Sequence, residues 1–255
     1  MEIRKFTLRT ELARVSKHVM ALEIIHFHLG VENVFSGLFA KMFCVPLFEE
    51  FDTGVKLVSS DQFALHFKDV INGIIPEQYE EFPLDADTKA LIISRDRFLL
   101  AGEPLNQKSS IKGQLYKIDN VQKFFPETKI VFHLFVTDHV TYLESKKNSD
   151  FTNWKSSTWA PLVDGVLERI SVPNELWVWG AESYEKTAKS MMVNLLGTHE
   201  PEADAFYDQY FKQDPKRGAI AKELISEDVQ LELDMMYEAD LSYFAQRPFR
   251  FLACS

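Results

Sequence analysis

A chain of 255 residues, 46% hydrophobic and 13% aromatic with 21 phenylalanines, is long and apolar enough to bury a large core. Its formal net charge of −10 argues against duplex DNA, RNA or an anionic membrane as main partner, since affinity for those comes chiefly from clustered Lys and Arg. The two cysteines, Cys44 and Cys254, lie far apart with no metal-ligand spacing, and read as free thiols.

Taken in chain order, the first twenty residues carry Phe6, Leu8, Leu12, Val15 and Val19 among Arg4, Lys5, Arg9, Glu11, Arg14 and Lys17. The spacing is weakly helical and predicts an arm or edge helix, residues 1–21, on a single α/β domain spanning 22–255. The charges interrupt any apolar core, which excludes an ordinary secretory signal. No stretch approaches the roughly 18 apolar residues of a membrane span. The expectation is a soluble, cytoplasmic protein.

Ile24 to Leu29 reads as a fully buried strand that reaches Gly30, and from Val34 the positions Val34, Phe35, Leu38 and Met42 mark one face of a helix. A strand that ends in glycine and feeds a helix gathers unpaired N–H groups at one sheet edge, so Ile24 to Gly37 is the first place to expect an anion. Neither a lysine nor a glycine run follows Gly30, as a phosphate-binding loop would require.

Val55 to Val58 is a short strand, followed by a helix with the stripe Phe63, Phe67, Val70, Ile71 and Ile74 and with Ser60 or Asp61 as its cap. His66 on that stripe reads as a core or boundary histidine. Residues 75–87 form an acidic surface excursion. Lys89 to Ser94 is the next strand and ends at Arg95-Asp96-Arg97, and Ala101 to Gly113 has the Gly, Pro, Asn and Ser content of a long loop.

Leu115, Ile118, Val121 and Phe125 predict a helix that stops at Pro126. Ile130 to Val136 is the strongest strand in the chain and suits a sheet centre, with His133 as a satisfied, silent core histidine. A short polar helix follows Thr137. A further helix carries Trp159, Leu162, Val163, Val166, Leu167 and Ile170, with caps expected from Ser156 to Thr158.

Leu176 to Trp179 is the last strand expected, burying one of its two tryptophans. Helices are expected at Tyr184 to Leu196, Glu202 to Phe211 and Glu227 to Phe244. Asp240 intrudes on the apolar stripe of the last one and must cap a neighbouring loop or meet a cation to offset its burial. Strands alternating with helices predict a mostly parallel sheet covered on both faces, with its ligand site beyond the strand C-termini.

The order of these elements resembles the sulfotransferase family, a P-loop-like α/β architecture that binds 3′-phosphoadenosine 5′-phosphosulfate (PAPS). Laid on the family's Gly-x-x-Lys-Thr-Gly-Thr-Thr loop, Gly30 takes the first glycine, Asn33 the lysine and Phe35 the second glycine, with Ser36 and Gly37 at the closing hydroxyl positions. On the family's strand followed by Arg-x-x-x-x-x-x-x-Ser, Thr137 takes the arginine and Ser145 the serine. The resemblance thus implies a cofactor site of Gly30, Asn33, Ser36, Gly37, Thr137 and Ser145, with both cationic anchors replaced by neutral groups whose hydrogen bonds are roughly half as strong. Lys146 and Lys147 follow the second motif.

Ile92 to Asp96 is similar to the family's strand ending near Ser-x-Glu, which implies Asp96 as general base, with His28 as the other candidate. Leu176 to Trp179 leading to Glu182, and the final helix, also follow the family's order.

The activity this implies is sulfuryl transfer from PAPS to a hydroxyl of a small molecule or glycan, without a metal. The alternative is a non-catalytic or repurposed member that binds a glycan, peptide or partner without PAPS chemistry. A third reading, glycosyl transfer, has only Asp85-Ala86-Asp87 to support it.

Overall fold

The computed structural model describes residues 22–30, 36–42, 54–74, 84, 88–95, 98–99, 108–144, 158–181, 183–212 and 227–253. The segment 1–21 and the sequence-predicted site residues Asn33, Asp96 and Ser145 lie outside them, as do Phe35, Trp154, Glu182, Lys146, Lys147 and the Asp85 to Asp87 triplet.

Six strands build one sheet: β1 (Ile24–Leu29), β2 (Val55–Val58), β3 (Ala90–Arg95), β4 (Lys129–Thr137), β5 (Glu175–Ala181) and β6 (Arg250–Ala253). The order across the sheet is β2-β3-β1-β4-β5-β6, and every neighbouring pair is parallel. The predicted parallel α/β class therefore holds. The helices are α1 (Ser36–Met42), α2 (Ser60–His66), α3 (Lys68–Ile71), α4 (Lys108–Phe124), α5 (His139–Glu144), α6 (Ala160–Leu167), α7 (Tyr184–Met191), α8 (Glu200–Tyr210) and α9 (Glu227–Phe244). A π-helical turn, Met192–Leu196, extends α7 and stops at Gly197 with φ of 68°.

Strand alternation sends Ile25, Phe27 and Leu29 of β1 into the larger core, under α2, α3, α4, α6 and α9. Ile92, Val131, Phe135, Trp177 and Trp179 face the other way and form the second core with α1, α7 and α8. The central strands are apolar on both faces because both are covered. Both tryptophans of β5 are buried, not one. No helix among the described residues is long and apolar enough to cross a membrane.

Several local expectations are corrected. The cap of α2 is Ser59 instead of Ser60 or Asp61: its hydroxyl accepts from the Gln62 N–H while the Gln62 side chain takes the Ser59 N–H, a reciprocal box that outcompetes either neighbour. The helical stripe of residues 63–74 is broken after His66 into α2 and α3. Helix α4 starts at Lys108, inside the stretch read as loop, and carries Gly113 within it. A helical glycine costs only about 1 kcal/mol relative to alanine, which tertiary packing can override. The strand β6 was not expected at all.

Candidate functional site

The order of the sheet locates the site before any side chain is considered. From β1 the chain leaves toward β2 on one side, while from β4 it leaves toward β5 on the other, so the connections diverge above the C-terminal ends of β1 and β4. Ligands of open parallel sheets bind at such a divergence. Gly30 lies at the end of β1, Thr137 ends β4, and β3 brings Ser94 and Arg95 alongside, in register with His28 and Leu29.

His28 is 1% exposed. Its Nδ1 is 3.0 Å from Ser94 Oγ, and the ring lies against Phe39 and edge-on to Phe135. Burial lowers its pKa to about 3, so the imidazole is neutral at physiological pH. A general base needs hydrogen-bond reach to the proton it abstracts, and here one ring nitrogen is already engaged by Ser94 and the ring is enclosed. The geometry is that of a core histidine bridging β1 and β3.

Thr137 is fully buried. Its hydroxyl donates to the Asp138 carbonyl at 3.1 Å, and its own carbonyl accepts the Trp159 indole N–H at 2.8 Å. Asp138 in turn accepts the Thr141 N–H at 2.8 Å and so caps α5. At the end of β4 the polar groups thus satisfy one another. Gly30 is buried and its carbonyl accepts the Leu99 N–H at 3.2 Å, which seats the Phe98-Leu99 pair on the end of β1, with the Phe98 ring edge-on to Phe27 at 4.8 Å. Ser36 and Gly37 open α1, and Gly37 is exposed.

Two cations that sequence reading passed over stand at this edge. Lys117 of α4 donates from Nζ to the Phe98 carbonyl at 3.0 Å and lies 5.6 Å from the Phe98 ring centroid. Desolvation lowers its pKa. Arg95 lays its guanidinium over the Phe63 ring at 4.5 Å.

Neither forms an ion pair with a carboxylate among the described residues. Some cations elsewhere are paired, Lys129 with Glu175, Arg169 with Asp119, Lys189 with Glu185 and Asp204, and Arg247 with Asp164, while Arg250 lies over Trp177 and bonds Asn194 with no carboxylate partner among the described residues. An ammonium has three donors and Phe98 uses one, while ring stacking occupies the face of a guanidinium and leaves its N–H edge available. Each therefore keeps N–H donors that an oxyanion could use. Lys117 was hidden because it flanks an ordinary helical stripe, and Arg95 because it read as one member of a charged triplet.

A row of polar rings runs along the opposite face of the sheet, on the side of the second core. Trp179 donates its indole N–H to His133 Nδ1 at 3.1 Å, and His133 Nε2 lies 2.9 Å from His26 Nδ1. The expectation that His133 is a satisfied core histidine holds, and His66 is likewise buried. No group of three or more His, Cys, Asp or Glu among the described residues could hold a metal ion.

Comparison with protein-family models, with curated proteins and with solved structures finds no match to this chain.

Proposed function

We propose that this chain is a sulfotransferase-like α/β protein that binds a ligand bearing a sulfate, phosphate or carboxylate group at the C-terminal edge of β1 and β3, without PAPS-dependent transfer. The observation that carries the reading is the pair Lys117 and Arg95, cations without a carboxylate partner among the described residues of a chain of net charge −10. A partly desolvated cation interacts with an anion more strongly than one in bulk water, because the effective dielectric constant is lower. The anionic group, whether carried by a glycan, a peptide or a partner protein, is the feature the site would recognise.

Against PAPS chemistry stand the inward-turned Thr137 hydroxyl and the enclosed His28. Loss of a positioned charge stabiliser costs about 10²–10³ in rate, and Asn33 brings no charge to the position of the family's lysine. The order of the elements and the site of sheet divergence favour the sulfotransferase-like frame itself.

Calorimetric titration with 3′-phosphoadenosine 5′-phosphate separates the two readings. The expected outcome is no saturable heat. Micromolar binding that Ser145→Ala abolishes would restore the transferase, with Asp96 as its base.

A further inference from the structure

We infer that the outer face of α9 is a docking surface for a cationic amphipathic helix of a partner protein. The 18 residues of α9 contain six carboxylates and neither lysine nor arginine. One face is accounted for: Leu233, Tyr237, Asp240 and Phe244 are buried against the body of the domain, where Asp240 accepts the Trp159 and Ala160 N–H groups. The opposite face is organised too. At 3.6 residues per turn, Leu231, Met235 and Ala239 follow one another along its middle at the i,i+4 spacing.

Leu231 and Met235 are 62% and 66% exposed, and Ala239 is exposed as well. Glu227, Asp234 and Glu238 line one side of that row and Asp228 and Glu232 the other, all exposed. A single surface leucine is ordinary, whereas two large apolar side chains on one row, framed on both sides by one sign of charge, form a patch with a direction. Methionine adapts its shape to whatever packs on it, which suits such a surface.

The rails define the occupant. Asp228 with Glu232, and Asp234 with Glu238, are like-charge pairs at a spacing where like charges destabilise a helix, and these carboxylates have no ion pair among the described residues. A metal ion does not fit them, since no group of three or more His, Cys, Asp or Glu among the described residues could hold one. A second copy offering the same face would set acid against acid in a chain already at −10.

A helix with an apolar seam between lysines and arginines meets both demands: its seam covers Leu231 and Met235, and its cations relieve the like-charge pairs. At 1.5 Å per residue α9 is about 27 Å long, room for about five turns of such a partner. The surface shares no residue with the anion site at β1 and β3, so the two readings stand or fall separately.

Fluorescence anisotropy with a labelled synthetic peptide of about 18 residues tests this. The peptide carries leucines at i, i+3, i+4 and i+7 and lysines at the flanking positions, and a scrambled peptide of the same composition keeps the charge without the seam. Binding to the full-length protein is read for the wild type and for a variant carrying Leu231→Gln and Met235→Gln, which leaves the charge unchanged. A second variant carries Asp228→Asn, Glu232→Gln and Glu238→Gln. All five positions are exposed, and circular dichroism checks that each variant is folded.

The docking surface predicts saturable binding of the amphipathic peptide to the wild type, weakened about ten-fold in each variant, the equivalent of about 1.4 kcal/mol, and weakened by salt. Absence of binding overturns the proposal. So does binding that Leu231→Gln with Met235→Gln leaves unchanged, or equal binding of the scrambled peptide, because either reduces the effect to attraction between a cationic peptide and a chain of net charge −10. Sedimentation of the wild type as a dimer that the same two substitutions dissociate would assign the face to a second copy, and overturns it too.

Discussion

Trp179 and His133 fix the protonation pattern of the ring row beneath the sheet. An indole N–H only donates, so His133 Nδ1, 3.1 Å away, accepts; the proton of this neutral ring sits on Nε2 and points at His26 Nδ1, 2.9 Å further on. A proton added to His133 would face the Trp179 donor. Burial pushes the pKa of His133 well below its ordinary value, that of His26 to about 4 and that of His28 to about 3.

The pH dependence of stability follows in sign. Well above 6.5 these histidines are neutral in both states and stability is complete. As pH falls below 6.5, the unfolded chain takes up protons that the folded rings refuse, and stability is lost progressively down to pH about 3. Three such groups lose about 3 kcal/mol in total over the first pH unit below 6.5, before carboxylates begin to titrate. Urea unfolding at several pH values reads this directly, and a flat profile over that unit contradicts it.

Trp179→Phe keeps an aromatic ring in place and removes the donor. His133 Nδ1 is then buried without a partner, at a cost of about 1–3 kcal/mol. The urea midpoint should fall accordingly at pH 7.5, where every ring in the row is neutral.

Asp240 caps a helix from a distance of 80 residues in sequence. Its Oδ2 accepts the Trp159 N–H at 2.7 Å and its Oδ1 the Ala160 N–H at 3.1 Å, which replaces the local cap that residues 156–158 were expected to provide. Asp240→Ala should cost about 3 kcal/mol, in the range for losing hydrogen bonds to a charged group, and Asp240→Asn distinctly less. His139 Nε2 is 3.3 Å from Asp240 Oδ2, but neither ring nitrogen of His139 makes a hydrogen bond. His139→Phe is therefore expected within about 1 kcal/mol of wild type. A loss of about 3 kcal/mol or more would mean that the close approach is an ion pair on which the fold depends.

Gly197 closes the π turn at φ of 68° with open space around the position of a Cβ. Gly197→Ala should cost about 1–2 kcal/mol from backbone conformation alone. Gly197→Asn should recover part of that, because asparagine tolerates the left-handed region.

Much of the fold was legible because periodicity and burial coincide. The bounds of β1, β2 and α9 follow from the sequence, since an unbroken apolar run suits a doubly covered strand and the stripe of α9 ends at Phe244. Strand β6 escaped because four residues, Arg-Phe-Leu-Ala, at the sheet edge carry no repeat long enough to read. The need of Asp240 for a donor was legible and its partners were not: they lie 80 residues away, and only the packing of α9 against the start of α6 brings them together.

The candidate site divides in the same way. The strand edge at Gly30 could be read from the order strand, glycine, helix. The commitment of His28 to Ser94 depends on the pairing of β1 with β3, and the approach of Lys117 depends on how α4 lies over Phe98. Sequence spacing encodes neither.

The most direct test of the anion site is calorimetric titration of the full-length protein with sodium sulfate at low ionic strength, repeated for Lys117→Ala and Arg95→Ala. The account predicts saturable sulfate binding to the wild type, weakened about ten-fold or more by either substitution, since each removes a charged hydrogen-bond donor worth roughly 1.5–3 kcal/mol. No sulfate binding, or binding that both variants retain unchanged, would contradict it.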